Sequence, residues 1–311
     1  MRNIWILTAI RMRLAMRNRA FIFFSLVMPL AFLFVFSTIF GQGIADRVSK
    51  LFPSVLALTV MGSFWGLSIQ LVLFREQGIL RRFHLAPVGP FAMLASSVIT
   101  NYILTLPTIV IELLLVRYVW HVTSFGNLPG LVVMISLGIV TFAAFGLIVA
   151  SVTNTMQETQ VINNLIWFAF LFFSGATFPI AMFPGWLHRA SVFLPATHLI
   201  IGLQFVFIGG LPLWKVGPEV FALLAGLAMS LFVSTKLFRW EPEAKIDRRA
   251  KLIAAAVVIP FLLVGVWENA QGERRRALQE LFNSGQQRNA APSAPMQTPA
   301  TQPPAPASPP R

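Results

Sequence analysis

Few side chains in this sequence are placed to do covalent chemistry. His84, His121, His188 and His198 lack metal-ligand spacing with one another, and no HExxH pair occurs. Cysteine is absent, which excludes disulfides and thiolate metal sites. No glycine-rich phosphate loop ending in Gly-Lys-Ser or Gly-Lys-Thr is present, so the chain has no such cradle for ATP. The 11 acids lie mostly in loops, and Glu112 alone falls well within an apolar run. These absences argue against an enzyme.

The polar residues that do stand out are amides and hydroxyls inside apolar runs. Thr59, Ser63, Gly66 and Gln70 follow i, i+4, i+7, i+11 spacing and share one helical stripe. Gln160, Asn163, Asn164, Trp167, Leu171 and Ser174 form another face. Amides are costly against lipid, so both faces are expected to look towards other helices or a cavity. Interhelical glue would explain them; so would a transport pathway lined by Ser63, Gln70, Asn163, Asn164 and Trp167. Phe168 and Phe172 would give that pathway an aromatic wall, against the plainer reading of lipid-facing bulk. Glu112, five residues before Arg117, reads as a snorkelling or paired group at the membrane edge.

The elements that must position these residues are membrane-spanning helices. Of 311 residues 56% are hydrophobic and only 11% charged, against roughly 25% charged in soluble domains, and mean hydropathy is +0.73. Apolar runs of about the ~20 residues that span a bilayer recur along the chain. They cover about 20–40, 53–74, 91–116, 130–151, 160–174 and 218–238. The net charge of +13 comes from arginines flanking these runs, the pattern of the positive-inside rule rather than of nucleic-acid binding. It puts the N-terminus in the cytoplasm.

The expected fold class is an all-α, polytopic transmembrane bundle of six core spans. Residues 1–19 form an amphipathic interfacial helix, 20–240 the six-span unit, and 241–270 a basic linker with a seventh apolar segment at 252–267. Residues 271–311 are rich in Pro, Ala, Gln and Ser and are expected to be a disordered tail. Between the fifth and sixth spans, Pro179, Pro184 and Pro195 break an apolar stretch that also holds Trp186 and His198.

Residues 75–90 are the most informative loop. Arg75, Glu76, Gly78, Arg81 and Arg82 follow the second span, and Pro87, Gly89 and Pro90 stop any helix before the third. A short helix here, with Leu80, Phe83 and Leu85 exposed beside arginines, suits docking into a groove on another protein.

The segment FREQGILRRFHLAPVGPFAML (74–94) resembles the cytoplasmic linker of type-2 ABC transporter permeases, the membrane subunits of ABC exporters. NNLIWFAFLFFSGATFPIAMFPGWLHRASVFLPATHLIIGL (163–203) resembles the fifth span and following outer hairpin of the same family. The resemblance covers about residues 1–240. It implies a coupling helix formed by Arg75, Glu76, Gly78, Leu80, Arg81, Arg82, Phe83 and Pro87 that contacts a separate ATPase subunit. It also implies short re-entrant helices on the outer side, around Pro179, Pro184, Trp186, Pro195 and His198. The family's coupling motif usually carries two acids, whereas Glu76 stands alone here.

The expected function is therefore the permease of an ATP-driven exporter in a bacterial-type inner membrane, moving an amphipathic or lipid-like cargo such as a drug or glycoconjugate. ATP and Mg would sit on the partner ATPase and no cofactor on this chain. A second permease copy, or a paralogue, would complete the assembly. A secondary transporter or channel without an ATPase is the alternative; it needs buried ionisable residues, for which Glu112 is the one candidate. A membrane-embedded enzyme would need clustered histidines or acids at one membrane face.

Overall fold

A computed structural model describes residues 2–17, 19–80, 89–178, 180–238 and 248–271, and every regular element among them is helical. In chain order these are α1 (Arg2–Arg17), α2 (Arg19–Ile39), α3 (Ala45–Glu76), α4 (Pro90–Tyr118), α5 (Leu128–Val152) and α6 (Met156–Phe173). There follow α7 (Gly185–Ser191), α8 (Pro195–Phe207), α9 (Gly217–Leu237), α10 (Arg248–Ala255) and α11 (Ile259–Gln271). All six expected spans are helices. α3, α4, α5 and the stretches Leu213–Leu237 and Leu252–Ala270 are each long and apolar enough to cross a membrane, making this a multi-pass membrane protein.

α3 is the centre of the bundle. It is largely apolar and buried along most of its length, as a helix enclosed by other helices must be. It starts at Ala45, eight residues before the apolar run at 53–74, so Asp46, Arg47 and Lys50 belong to its first turns. A Lys50–Asp46 pair at 2.9 Å, one turn apart, supports that extension. α5 lies closest to α3, because Gly146 lets the backbones touch: a Cβ there would stand 2.4 Å from the carbonyl oxygen of Phe64.

Two breaks shape the far end. α7 and α8 meet at 97°, so the stretch after α6 turns back on itself as expected for a re-entrant hairpin. Pro184 caps α7 and Pro195 opens α8, positions where a missing N–H costs nothing. Pro260, within the seventh apolar run, likewise sits in the first turn of α11, after a short 3-10 turn at Ala256–Val258. Phe261 and Val264 then pack α11 against Ala222 of α9.

α1 behaves as the amphipathic pattern indicates, with one reversal. Leu7, Thr8, Arg11 and Ala15 face the bundle, while Trp5, Ile6, Ile10 and Leu14 are exposed. Arg11 is thus buried, its guanidinium 5.3 Å from the centre of the Phe74 ring. Burial pushes its pKa down to about 10, which leaves it charged at neutral pH.

Gly146→Val should drive α3 and α5 apart and lower the melting temperature of the purified protein by several degrees, equivalent to about 1–3 kcal/mol. Gly217→Ala, where nothing lies within 4 Å of the added atom, should leave it unchanged.

Candidate transport site

At the end of the bundle where α3 stops and α4 begins, two consecutive residues of opposite charge grip two different helices. Arg75 is only 3% exposed. It donates to the carbonyls of Ala150 (3.0 Å) and Thr153 (2.6 Å), the otherwise orphaned C-terminal end of α5. Glu76 accepts from the backbone N–H of Met156 at 2.8 Å, the first residue of α6. Each charge matches the dipole of the terminus it touches, positive at the C-terminus and negative at the N-terminus. Thr155 accepts from the N–H of Glu158, and Glu158 in turn accepts from the N–H of Asn154. These reciprocal bonds resemble a capping box and complete the α6 start.

Beyond Glu76 the chain turns at Gly78, whose φ of +67° suits a residue without a Cβ. Leu80 then folds inward and is 1% exposed, packed with Leu7, Phe74, Met93 and Leu94. The expectation that Leu80 is exposed for docking is therefore corrected, because α1 and the start of α4 cover it. Arg81, Arg82, Phe83 and Pro87 lie outside the described residues.

Half-way along the bundle, α2, α3, α4 and α6 line a partly open cavity of about 530 Å³. The α3 stripe reaches it through Thr59, Ser63 and Gly66, and α6 through Gln160 and Trp167. Trp65 and Trp167 meet edge to face at 5.9 Å on its wall. Asn163 points instead at α3, donating from Nδ2 to Ser68 Oγ at 2.7 Å, so in this chain it bonds helix to helix. Gln70 and Asn164 are half-buried and do not line the cavity. Phe168 and Phe172 stack on each other at 6.3 Å on the exposed side of α6. Phe170 is the ring that turns inward, against Phe64 and Phe142.

α4 carries a polar face that sequence reasoning passed over. Asn101, Thr105, Thr108 and Glu112 repeat the i, i+4, i+7, i+11 spacing seen on α3. Asn101 and Thr105 line the cavity, and Thr108 donates to the carbonyl of Ser25 at 3.2 Å. That carbonyl would have paired with residue 29 of α2, but Pro29 has no N–H to give. Glu112 is fully buried and accepts from Thr59 Oγ1 at 2.5 Å. It neither snorkels nor pairs with Arg117, whose guanidinium serves the carbonyls of Val122 and Thr123.

At the other end, Trp186 is exposed on α7, and His198 is buried on α8 with its ring 6.0 Å from that of Phe261. Pro179 lies outside the described residues. Glu219 and Glu268, near the ends of α9 and α11, are also buried. Their loop-like sequence positions hid this, because their burial depends on how α9 and α11 pack. Among the described residues no group of three histidines or acids is arranged to hold a metal ion.

Comparison with known proteins agrees with this architecture. The sequence pattern of the ABC-2 type transporter family matches residues 2–208. The putative transport permease YvfS of Bacillus subtilis is 23% identical over 246 residues, 75% of this chain and 95% of its own length. The daunorubicin resistance ABC transporter permease protein DrrB1 of Streptomyces coeruleorubidus is 27% identical over 66% of this chain and 77% of its own. The probable doxorubicin resistance ABC transporter permease protein DrrC of Mycobacterium tuberculosis is 25% identical over 60% and 70%.

Asn163→Leu and Ser68→Ala should each lower stability by about 0.6–1.7 kcal/mol, and the double variant by no more than the larger single effect. Thermal unfolding of the four proteins in one detergent checks this. Additive losses would mean the bond contributes nothing.

Proposed function

The chain belongs to the ABC-2 type transporter family, and on that premise we propose that this ABC transporter permease serves an exporter. A separate ATPase subunit would supply the energy, holding ATP and Mg, and an amphipathic or lipid-like molecule would be the cargo. The observation that carries this proposal is the double grip of Arg75 and Glu76. Any partner that displaces the segment after residue 76 displaces the C-terminus of α5 and the N-terminus of α6 with it. α6 in turn walls the cavity through Gln160 and Trp167. A push at one end of the molecule is thereby delivered to the compartment where a cargo would lie.

The remaining parts fit this picture. α1, the end of α3 and the end of α9 meet through Leu7, Phe74 and Phe238, and the charge bias would make that end the cytoplasmic side of an inner membrane. The ATPase would dock there, against Arg81, Arg82, Phe83 and Pro87. The exposed face of α6, with Val161, Leu165, Phe168 and Phe172, would meet a second permease copy or a paralogue. Two of the relatives are named for daunorubicin and doxorubicin resistance, which supports a drug or similarly amphipathic cargo. A ligand-biased two-state change then exposes the cavity to one side or the other: ATP binding to the partner favours one arrangement and its loss the other.

One observation favours the alternative of an ion-coupled transporter, the buried carboxylate Glu112. Dependence on the ATPase separates the two. Vesicles holding the permease with a hydrolysis-deficient ATPase should show no cargo movement under any proton gradient; movement under those conditions would support ion coupling.

Replacing Arg81 and Arg82 together by Glu should abolish co-purification with the ATPase while membrane insertion persists. Arg75→Ala should keep the ATPase bound but cut cargo-stimulated ATP turnover by about tenfold or more, since two charge-assisted bonds are lost. Normal turnover in that variant would remove α5 and α6 from the coupling route.

A further inference from the structure

We propose that α11 positions the re-entrant hairpin: Phe261, Gly265 and Asn269 hold the corner between α7 and α8, and this contact must loosen in each transport cycle. The second half rests on the chain being the permease of an exporter; the first does not.

α10 and α11 lie beyond residues 2–208, the stretch that the family pattern matches, yet they are built into the bundle. Ala254 and Val257 pack with Ile148, Val152, Val233 and Leu237, at the ends of α5 and α9. One turn on, Phe261 and Val264 meet Ala222, and the Phe261 ring lies 5.7 Å from that of Phe145. The stretch Leu252–Ala270 thus runs from the end that bears Arg75 to the end that bears the hairpin, and its 19 residues cover about 28 Å. Ala254, Val257, Phe261, Val264 and Glu268 turn inward along one stripe, while Leu262, Leu263, Val266 and Trp267 are exposed on the other side. A carboxylate is costly against lipid, so the buried Glu268 fixes which face of α11 looks in.

Three residues of α11, each one turn from the next, reach the hairpin. Phe261 holds its ring 6.0 Å from that of His198, in the first turn of α8. Gly265 meets the break itself, where α7 and α8 turn through 97°. A Cβ there would stand 2.5 Å from Cδ1 of Phe193 and 3.1 Å from the carbonyl oxygen of Val192. Asn269 donates from Nδ2 to the carbonyl of Arg189 at 3.1 Å, in the last turn of α7. In a continuing helix that carbonyl would accept from the N–H of Phe193, but this N–H turns to Ala190 at 3.2 Å. Asn269 therefore supplies a bond that the bend takes away. Helix, corner and helix are each touched by one residue of α11, so the corner is held as a body while α11 stays seated.

The chain has no cysteine, so introduced thiols report on single positions. Ser191→Cys, at the end of α7 where the native side chain is 1% exposed, is placed in the full-length permease in lipid nanodiscs, without ATPase. Its rate of reaction with a maleimide measures how often the corner opens. Adding Gly265→Leu should raise that rate at least about tenfold, and adding Asn269→Ala about threefold. Ser96→Cys, fully buried on α4, should keep its rate in both backgrounds, which separates release of the corner from general loosening. Should Gly265→Leu fail to fold, Asn269→Ala alone decides. Unchanged labelling of Ser191→Cys in folded variants, or an equal rise at Ser96→Cys, would overturn the positioning role.

The pair Phe193→Cys and Gly265→Cys tests the second half. Mild oxidation should join the two thiols, and the closed bond should lower ATP turnover of the permease–ATPase complex at least about fivefold, with dithiothreitol restoring it. No bond on oxidation would count against the contact, and full turnover with the bond closed would overturn the loosening step. If the permease forms no complex with the ATPase, the export proposal fails and the positioning role stands on the labelling alone.

Discussion

Helix termini leave backbone groups that must find partners, and apolar side chains supply none. Here two of those termini, the end of α5 and the start of α6, are satisfied by adjacent residues on a third helix. Arg75 and Glu76 are one peptide bond apart, so the α5–α6 corner cannot move relative to α3 without breaking charge-assisted bonds. The corner is further knotted by Thr159, which donates to the hydroxyl of Thr153 at 2.8 Å. What would be a flexible connection in a soluble protein becomes a rigid block.

The block is continuous with a tightly packed interior on one side and a cavity on the other. Towards α5 the contact is backbone on backbone, at Gly146 and Phe64. Towards α2 and α4 the packing opens into a space lined by the rings of Phe32, Trp65 and Trp167 and by the polar residues Thr59, Ser63 and Asn101. α3 separates these regions and belongs to both. A displacement of α3 is therefore resisted where it meets α5 and is free to change the volume enclosed on its other side, since rigid packing transmits movement and empty space absorbs it.

Much of this was legible in the residues. Span positions followed from apolar runs, and the helical stripe at Thr59, Ser63 and Gly66 identified the side of α3 that meets the cavity. The α4 stripe was equally readable by spacing, but threonines inside a span pass as filler, and Pro107 falls within the period. Arg75 could not be read. Its flanking charges suggest a solvent-facing loop, and its burial depends on carbonyls about 75 positions further along the chain. Leu80 failed for the same reason, being covered by α1 and α4 from separate parts of the sequence. Phe168 and Phe172 mark a third kind of limit: spacing puts them on one face of α6, and it is the packing of the other helices that leaves that face exposed.

The contact between Thr108 and the Ser25 carbonyl has a mechanical consequence. Proline at position 29 removes one rung from the ladder of α2, and the vacancy is filled from outside by a hydroxyl of α4. A bend at that level would stretch no internal rung, only a tether to the adjacent helix. Pro29 thus marks the level at which α2 resists bending least, and the tether there lies beside Met28 and Phe32, where the compartment borders this helix.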